Sequence, residues 1–169
     1  GRFMLRRLEE KDAVLMLEWM HDASVNCWFR YPFANVTLEK AKFFIKYSFD
    51  EENQHFAITD KTDEYLGTIS LKHISEKDHN AELVIAARKK VWDTGLAEHA
   101  VTDIIRYAFN DLGLHRVYLT VLADNVEARK FYENCGFDLE GEFREAARIQ
   151  DRYRNMAWYA MLNWKEKNV

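Results

Sequence analysis

Three successive segments in the first half of the chain have the pattern of hydrophobic and polar positions expected of β-strands, and short polar turns separate them. The segments span residues 54–59, 65–74 and 80–87, with polar turns at 60–64 and 75–79. Alternation with a period of two is typical of strands that bury one face. The pattern therefore predicts a meander of three antiparallel strands, of which the first two form a hairpin.

A different period follows the meander, because apolar residues after Gly95 recur every three or four positions. The helical stripe that they form contains Ala97, Ala100, Val101, Ile104, Ile105, Ala108 and Phe109. The first turn of a helix leaves N–H groups unpaired and carries the positive end of the helix dipole, so it can receive the phosphates of a nucleotide-like ligand. Gly95 would allow a positive φ or a close approach of that ligand. The alternative is an ordinary surface helix that Thr94 caps.

The N-terminal segments add further elements to this plan. The pattern predicts a short strand over residues 3–7, a helix that Asp12 caps, and a helix that runs from Thr37 to Phe49. Between the two helices lies an aromatic loop, residues 26–33, which surrounds the only proline of the chain. This loop is interpreted either as a cover over the core or as a wall of a substrate pocket.

The C-terminal segments complete the sheet. The predicted elements are a strand at 115–122, a helix at 126–134 that Asp124 and Asn125 cap and that stops before Gly136, an alternating segment at 137–143, and a strand at 156–164. The last strand is apolar on both faces, which is typical of a covered strand. Strand, long helix and strand in succession predict a parallel pair with a right-handed crossover.

Composition places the chain among single-domain globular proteins. We expect residues 1–169 to form one domain that buries about 70% of its unfolded surface. No apolar run is long enough to cross a bilayer, and the two cysteines show no disulfide pattern, so we expect a soluble, cytoplasmic protein without a membrane partner. A net charge of −4 argues against nucleic acid and mildly favours a cationic small substrate.

Two motifs carry a family resemblance. They are Trp92-x-x-Gly95-x-Ala97 at the helix start and Asn125-x-x-Ala128-x-x-Phe131-Tyr132-Glu133-x-x-Gly136-Phe137 after the next strand. With the closing hairpin, they resemble the GNAT superfamily of acyl-CoA-dependent N-acyltransferases, in particular the group with ribosomal-protein N-terminal and spermidine acetyltransferases. The resemblance implies an α/β fold with a mixed, mostly antiparallel sheet of about seven strands, splayed in the middle and flanked by about four helices.

The resemblance also implies positions for acetyl-CoA, which would be the co-substrate. The backbone of Ile85, Ala86 and Ala87 would pair with the pantetheine arm, and Asn125, with Ala128 beside it, would hydrogen-bond that arm. The pyrophosphate would be held by Trp92, Thr94, Gly95, Leu96 and Ala97. The loop departs from the family pattern, because Trp92 stands where Gln or Arg is commoner and Asp93 replaces a frequent glycine.

Acetyl transfer to an amine requires a neutral nucleophile and a leaving thiolate. Glu82 shares a strand face with Val84 and Ala86, so we expect an isolated carboxylate whose desolvation suits it to act as a base. A structural carboxylate paired with Arg or His is the alternative. The resemblance places the Tyr132 phenol near the sulfur, as a hydrogen-bond donor to the thiolate. The histidines are scattered, so we expect no metal.

The acceptor stays open at this stage. A protein N-terminus, a polyamine and an amino sugar or similar metabolite are the three candidate amines, and Trp28, Phe29 and Tyr31 are predicted to line their pocket. Arg30 in that loop, in place of an acidic cluster, weakens the polyamine. A non-catalytic acyl-CoA sensor on the same scaffold is the alternative function, and a homodimer whose partner completes the pocket is a further hypothesis.

Overall fold

The computed structural model describes residues 2–163, which form one seven-stranded sheet with helices on both faces. The strands are β1 Met4–Arg7, β2 Gln54–Thr59, β3 Tyr65–Ser75, β4 Asn80–Ala87, β5 Arg116–Leu122, β6 Asp138–Ile149 and β7 Arg152–Leu162. The α-helices are α1 Ala13–Met20, α2 Ala23–Asn26, α3 Leu38–Lys46, α4 Leu96–Arg106 and α5 Val126–Asn134. The described region thus has the four helices expected and, in α2, one additional single turn.

The sheet order is β1-β2-β3-β4-β5-β7-β6. Only the β4–β5 pair is parallel, and every other neighbouring pair runs antiparallel. The α4 helix connects the two parallel strands. The predicted meander, the parallel pair and the mixed, mostly antiparallel sheet are therefore confirmed. Residue 164, which the sequence pattern assigned to the last strand, lies outside the described residues.

The middle of the sheet is split. β4 and β5 pair at three positions only, Asn80 with Arg116, Ala81 with Val117 and Glu82 with Tyr118. Beyond Glu82, β4 continues to Ala87 in register with β3 alone. The edge of β4 from residue 83 onward therefore faces a gap instead of a neighbouring strand. The splay that the family resemblance implied is present.

Each face of the sheet has its own hydrophobic core. The larger core contains Leu83 of β4 together with Leu96, Val101 and Ile104 of α4, all at most 2% exposed. The opposite core packs α1 and α3 against β2, β3 and the Ala86 side chain. Because neighbouring β4 residues point to opposite faces, Glu82, Val84 and Ala86 face the α1–α3 side, as their alternation predicted.

Two of the predicted helix caps are present, and one prediction was wrong. The Thr37 side chain accepts a hydrogen bond from the Lys40 amide, and Asn125 accepts one from the Ala128 amide. Asp12 precedes α1 but makes no side-chain cap bond to it. Its carboxylate, which is 2% exposed, instead accepts two hydrogen bonds from Arg6, at 2.8 and 2.9 Å. A guanidinium satisfies that carboxylate better than one amide does.

The predicted helix ends were less accurate than the starts. The third helix stops at Lys46, three residues before the predicted end at Phe49, which instead bridges to Gln54. The α4 helix continues from Tyr107 to Asp111 as a π-helix. Among the described residues, no helix is both long and apolar enough to cross a membrane.

Candidate active site

The gap between β4 and β5 forms the first part of the site. Ile85, Ala86 and Ala87 pair with β3 on one side, and their other side faces the gap. Gly67 makes this pairing close, since a Cβ atom at Gly67 would lie 2.8 Å from the Ala86 carbonyl oxygen. An extended ligand arm can add to such a free strand edge through backbone hydrogen bonds. The three residues that the resemblance assigned to the pantetheine arm therefore have the backbone geometry that it requires.

A tight loop connects β4 to α4. The Trp92 indole N–H donates to the Ala87 carbonyl oxygen at 3.2 Å, and the Thr94 hydroxyl donates to the Val91 carbonyl oxygen. Asp93 has a positive φ of 63°, which is uncommon for a residue other than glycine. The Trp92 side chain thus holds the loop to the end of β4, whereas Thr94 bonds within the loop and does not cap the helix.

The N-cap of α4 is Gly95, which has φ +83° and no side-chain cap bond. The first intrahelical hydrogen bond runs from the His99 amide to the Gly95 carbonyl, so the amides of Leu96 and Ala97 precede the i→i−4 pattern. A Cβ atom at Gly95 would meet nothing within 4 Å, which leaves the space over these amides open. The Leu96 side chain is buried, so Leu96 offers a ligand only its backbone. This helix end has the groups that a diphosphate needs.

An ion-pair network around Arg88, which could not be predicted from the sequence, anchors the start of this loop to α1 and to the β2–β3 turn. The buried Arg88 guanidinium donates to Glu18 of α1 at 2.7 Å, to Glu64 at 2.6 Å and to the Tyr65 carbonyl oxygen at 2.8 Å. Lys90 donates to the same Glu64 carboxylate at 2.7 Å. The two acids are 24 and 70 residues away from Arg88 along the chain. Sequence periodicity carries no signal for such distant pairs.

The α5 helix lies on the larger core and carries Tyr132. The Asn125 side chain accepts from the Ala128 amide at 3.3 Å, so the Asn125 carbonyl oxygen is engaged in the helix cap. The Tyr132 ring is 8% exposed and packs edge-on against Phe131 and Phe137, with centroids 5.1 and 5.8 Å apart. This packing positions the phenol and leaves its ring little freedom to move.

Burial strongly raises the pKa of the Tyr132 phenol, with a smaller contribution from Cys135. Within residues 2–163 every buried side-chain N or O atom has a hydrogen-bond partner. No hydrogen bond between the Tyr132 hydroxyl and another of these residues is found. A neutral phenol with a free O–H is a hydrogen-bond donor, not a base.

The surroundings of Glu82 differ from the prediction. The expected isolation among apolar neighbours was wrong, because Lys72 and Tyr118 lie directly opposite Glu82 on the flanking strands. The His73 ring nitrogen lies 3.8 Å from its carboxylate oxygen, and the Glu82 side chain is 20% exposed. The alternation identified the face correctly but carried no information about which polar residues the neighbouring strands bring to it.

A cavity of about 510 Å³ lies between α1, α3 and the sheet face of β2–β4. Phe29 and Tyr31 line it, as predicted from the aromatic loop, whereas Trp28 is 42% exposed and is not part of the lining. Trp19 and Phe33 complete an aromatic wall, with ring centroids 4.9 Å apart. Alternate residues of the irregular loop segment point in different directions, which explains why Trp28 is excluded.

The floor of the cavity is polar. The Trp19 indole donates to the Tyr65 hydroxyl at 2.8 Å, and that hydroxyl lies 2.6 Å from the Thr68 hydroxyl. The His55 ring nitrogen Nδ1 lies 2.6 Å from the Ser70 hydroxyl. Burial and, to a smaller extent, the nearby Lys72 ammonium lower the pKa of His55 to about 4. His55 is therefore uncharged at neutral pH.

Two other types of site find no support in the described part of the chain. Cys135 ends α5, and burial raises the pKa of its thiol, which disfavours the thiolate that a covalent nucleophile needs. Among residues 2–163, no group of three or more His, Cys, Asp or Glu side chains could hold a metal ion.

Comparisons with known proteins agree with this geometry. The family model described as an acetyltransferase (GNAT) domain matches residues 2–138. Spermidine N(1)-acetyltransferase of Vibrio cholerae is 28% identical over 99% of this chain and 97% of its own length. L-amino acid N-acetyltransferase of Escherichia coli is 29% identical over 51% of this chain and 53% of its own length.

Solved structures show the same fold. The crystal structure of the Vibrio cholerae spermidine N-acetyltransferase in complex with CoA and spermine superposes with a TM-score of 0.88, at 25% identity over 99% of both chains. A GNAT-family acetyltransferase from Bacillus anthracis gives a TM-score of 0.84 at 23% identity, over 96% of this chain and 95% of that one. From the match over most of its length, together with the split sheet and the uncapped helix end, this chain belongs to the GNAT acetyltransferase family and is an acetyl-CoA-dependent N-acetyltransferase.

Proposed function

We propose that an amine bound in the cavity between α1 and α3 attacks acetyl-CoA held in the gap between β4 and β5, with no acetylated enzyme intermediate. The observation that carries this proposal is the position of Glu82, at the point where β4 and β5 part and on the face that the cavity occupies. A donor in the gap and an acceptor in the cavity would meet beside that carboxylate. Direct attack then needs no nucleophile from the protein.

Glu82 is proposed to accept the proton of the amine. A primary amine with a pKa near 10.4 is neutral in only about one molecule in 10³ at pH 7, which corresponds to about 4–5 kcal/mol. Glu82 is half-buried, and the neighbouring His73 side chain is 64% exposed, 3.8 Å away. The two side chains therefore form a route by which the proton reaches solvent.

Tyr132 is proposed to stabilise the leaving thiolate. Because burial raises the pKa of its phenol further above that of a thiol, near 8.5, complete proton transfer to sulfur is unfavourable. A hydrogen bond from the neutral phenol strengthens as negative charge develops on the sulfur. Tyr132 is thus assigned the role of donor in the transition state, and solvent supplies the proton of the free thiol.

Ile85, Ala86 and Ala87 are proposed to bind the pantetheine arm, and the backbone at Gly95, Leu96 and Ala97 the pyrophosphate. Trp92 and Thr94 shape the loop around that group through their bonds to Ala87 and Val91. Asn125 uses its carbonyl oxygen in the α5 cap, which leaves its amide N–H groups to bind the arm next to Ala128.

A polyamine is the acceptor that the relatives favour, because the Vibrio cholerae relative is named for spermidine and its crystal structure holds spermine. Among residues 2–163, however, the charged residues that line this cavity include Lys40 and Lys72 and only one carboxylate, Asp50. Both of the hydrogen bonds that Asp50 accepts come from amides of its own turn. Spermidine is therefore the second candidate acceptor, behind an amine with fewer positive charges.

A homodimer is proposed on the basis of the β6–β7 hairpin. The edge strand β6 exposes Leu139 and Phe143 by 49% and 52%, and Tyr153 of β7 is 64% exposed. A second copy that covers this surface would remove exposed apolar area. Light scattering that gives the mass of a single 20.1 kDa chain would contradict this proposal.

Thiol release from acetyl-CoA in the presence of single amines tests the reaction. We expect release that depends on the amine and gives the acetylated amine in equal amount, and no mass increase of the protein after incubation with acetyl-CoA alone. A protein that binds acetyl-CoA but releases no thiol with any amine would instead be the non-catalytic sensor.

A further inference from the structure

Lys72 and Glu82 are opposite charges that face each other across the β3–β4 ladder without forming an ion pair. They are direct partners in the antiparallel register, which places their Cβ atoms about 4.5–5.5 Å apart and their side chains on one face. The carboxylate of Glu82 has His73 as its neighbour, at 3.8 Å. Within residues 2–163, no carboxylate lies within 4.0 Å of the Lys72 ammonium, although Lys72 is only partly exposed.

Lys72 lines one end of the cavity, with Glu82 beside it on the same sheet face but outside the lining, and the aromatic wall lies at the other end. Thr68, Ser70 and Lys72 follow one another on the same face of β3, opposite Ala86, Val84 and Glu82. The Thr68 end contacts Tyr65, which receives the Trp19 hydrogen bond. The cavity thus extends from a charged end, at Lys72 and the neighbouring Glu82, to an aromatic end at Trp19.

Between the two ends, the cavity offers neutral hydrogen-bonding groups. His55 is uncharged, for the reason given above, and its Nδ1 atom is paired with Ser70. The remaining charged lining residues are Lys40, which is exposed on α3, and Asp50, which is engaged in its own turn. Lys72 is therefore the group in the described lining that most needs a negative partner from the ligand.

We propose that the acceptor is an α-amino acid with a large apolar side chain, whose amino group faces Glu82 and whose carboxylate binds Lys72. An α-amino acid carries an ammonium and a carboxylate on one carbon atom, so a single ligand can present one charge to Glu82 and the opposite charge to Lys72, which are partners in the β3–β4 register. The apolar side chain would occupy the aromatic end beside Trp19, Phe29 and Phe33. This inference depends on the proposed function, because it takes the same cavity as the acceptor site.

The reaction balances without a further reactant. The amino nitrogen forms a bond with the acetyl carbonyl carbon, and the bond between that carbon and the CoA sulfur breaks. One proton of the original ammonium goes to Glu82 before the attack and from there to solvent, the second passes from nitrogen to solvent as the amide forms, and the thiolate takes one proton from solvent, so that one net proton is released. The products are the N-acetyl amino acid and free CoA.

Charge explains why this acceptor fits better than a polyamine. Spermidine has no anionic group, so its binding would leave the Lys72 ammonium facing further positive charge in a partly desolvated cavity. The carboxylate of an amino acid neutralises Lys72 and forms a charge-assisted hydrogen bond with it. Lys72 is thereby assigned as the residue that selects among amines.

A set of matched amines tests this assignment on the full-length protein. Phenylalanine, phenylalanine amide, phenethylamine, glycine and spermidine are compared by kcat/KM at a saturating concentration of acetyl-CoA. We expect phenylalanine to exceed the amide and phenethylamine, which lack the carboxylate, by about tenfold, the effect of one charge-assisted bond. The kcat/KM values of glycine, which has no apolar side chain, and of spermidine are expected to be lower than those of the other three amines.

Lys72 variants provide the second arm of the test. We expect Lys72→Gln to raise the KM for phenylalanine about tenfold. The value of kcat/KM for phenethylamine should stay within about twofold of the wild type, because phenethylamine has no carboxylate to bind the Lys72 ammonium. Lys72→Arg should restore part of the preference. Lys77→Gln, in the exposed turn after β3, removes the same charge outside the cavity and should change neither value.

The outcomes separate the two proposals. Turnover of spermidine or phenethylamine in preference to phenylalanine, or a preference that Lys72→Gln leaves unchanged, would overturn the amino-acid assignment while the acetyl transfer itself stands. If no amine supports thiol release although acetyl-CoA binds, the proposed function falls, and the assignment falls with it. Selective acetylation of phenylalanine that depends on Lys72 supports both.

Discussion

At the scale of single residues, burial keeps two titratable groups of the site neutral. It raises the pKa of the Tyr132 phenol and lowers that of His55 to about 4, and in both cases the charged form is the one that is disfavoured. Glu82 differs, since it borders Lys72, His73 and Tyr118 instead of an apolar wall. The site therefore combines neutral hydrogen-bonding groups with one carboxylate that has a route to solvent.

The Tyr132→Phe variant tests the role of the phenol. We expect kcat to fall about 10²-fold, since a donor to the leaving thiolate is lost, while the Kd for acetyl-CoA changes less than about threefold. Steady-state kinetics and calorimetry measure the two quantities. A variant with unchanged turnover would remove Tyr132 from the mechanism, and a large change in Kd alone would make it a binding residue.

The Glu82→Gln variant tests the base. We expect kcat/KM for the amine to fall about 10²-fold, because the amide cannot accept the proton. Raising the pH should restore part of the rate, since more of the amine is then neutral before it binds. Rates are compared from pH 7 to pH 9 with Glu76→Gln as the control, because Glu76 is exposed in the β3–β4 turn. Equal rates for the wild type and Glu82→Gln at pH 7 would exclude this role.

His55 gives the free energy of unfolding a pH dependence. Its pKa is about 4 in the folded protein and 6.5 in a free chain, so the unfolded state binds more protons between these values. Stability is therefore complete above about pH 6.5 and decreases as the pH falls towards 4, by up to about 3 kcal/mol. We expect the urea midpoint of His55→Asn to change less between pH 4 and pH 7 than that of the wild type. His73→Asn, which removes an exposed imidazole, is the control, and an equal pH dependence in His55→Asn and the wild type would contradict the account.

At this scale, the sequence identifies individual side chains but not the groups around them. The alternation in β4 places Glu82 on the cavity face correctly. Its register with Lys72 depends on a hairpin pairing, and its distance from His73 depends on the irregular end of β3, where His73 has a φ of 53°. Arg88 shows the same limit, because both of its acidic partners lie far away along the chain.

At the scale of secondary structure elements, local sequence signals predict where helices start better than where they end. Thr37 and Asn125 cap their helices as predicted, because a capping bond spans only three residues. The end of α4 extends into a π-helix, and α3 ends early where Phe49 joins the sheet. These ends depend on tertiary packing, which a helical period does not encode.

Gly67 offers a test at the element scale. We expect Gly67→Ala to lower the free energy of unfolding by about 1–3 kcal/mol, because the new Cβ would lie 2.8 Å from the Ala86 carbonyl oxygen. The displaced strand should also raise the KM for acetyl-CoA. Gly141→Ala on β6 is the matched control, since a Cβ there meets nothing within 4 Å. If thermal and urea unfolding of Gly67→Ala match those of the control, the close β3–β4 contact is not required.

At the scale of the whole molecule, the order of elements predicted the architecture. The meander, the helical crossover and the parallel pair follow from periodicity alone, whereas the splay was available only through the family resemblance. Three residue pairs between β4 and β5 join the halves of the sheet, and no local pattern in either strand marks where pairing stops. The cavity proposed for the acceptor likewise forms between α1, α3, the β2–β4 face and the loops that join them.

Acetyl-CoA should stabilise the whole fold. At a concentration of 100 times its Kd, a ligand that binds only the folded state adds about 2.7 kcal/mol to the free energy of unfolding. We expect a rise in Tm with acetyl-CoA, and a smaller rise for Gly95→Ala at the same concentration, because alanine disfavours the φ of +83° that Gly95 adopts just before the Leu96 and Ala97 amides. Adenosine 3′,5′-bisphosphate, which lacks the pantetheine arm, is the control. An identical rise for Gly95→Ala would contradict the proposed phosphate position.

Because β4 and β5 pair at only three positions, the hydrogen-bonding groups on the free edge of β4 would be paired by the bound ligand and not by another strand. Between Leu83 and Ala87, the backbone amides that point into the gap should exchange with deuterium quickly when no ligand is present, whereas those that bond to β3 should stay protected. A pantetheine arm bound along this edge, as proposed, would take the place of an additional strand for as long as it is bound. Each catalytic cycle would then fill the gap between β4 and β5 when acetyl-CoA binds and empty it when CoA leaves. The sheet would be continuous only while the co-substrate or product is bound.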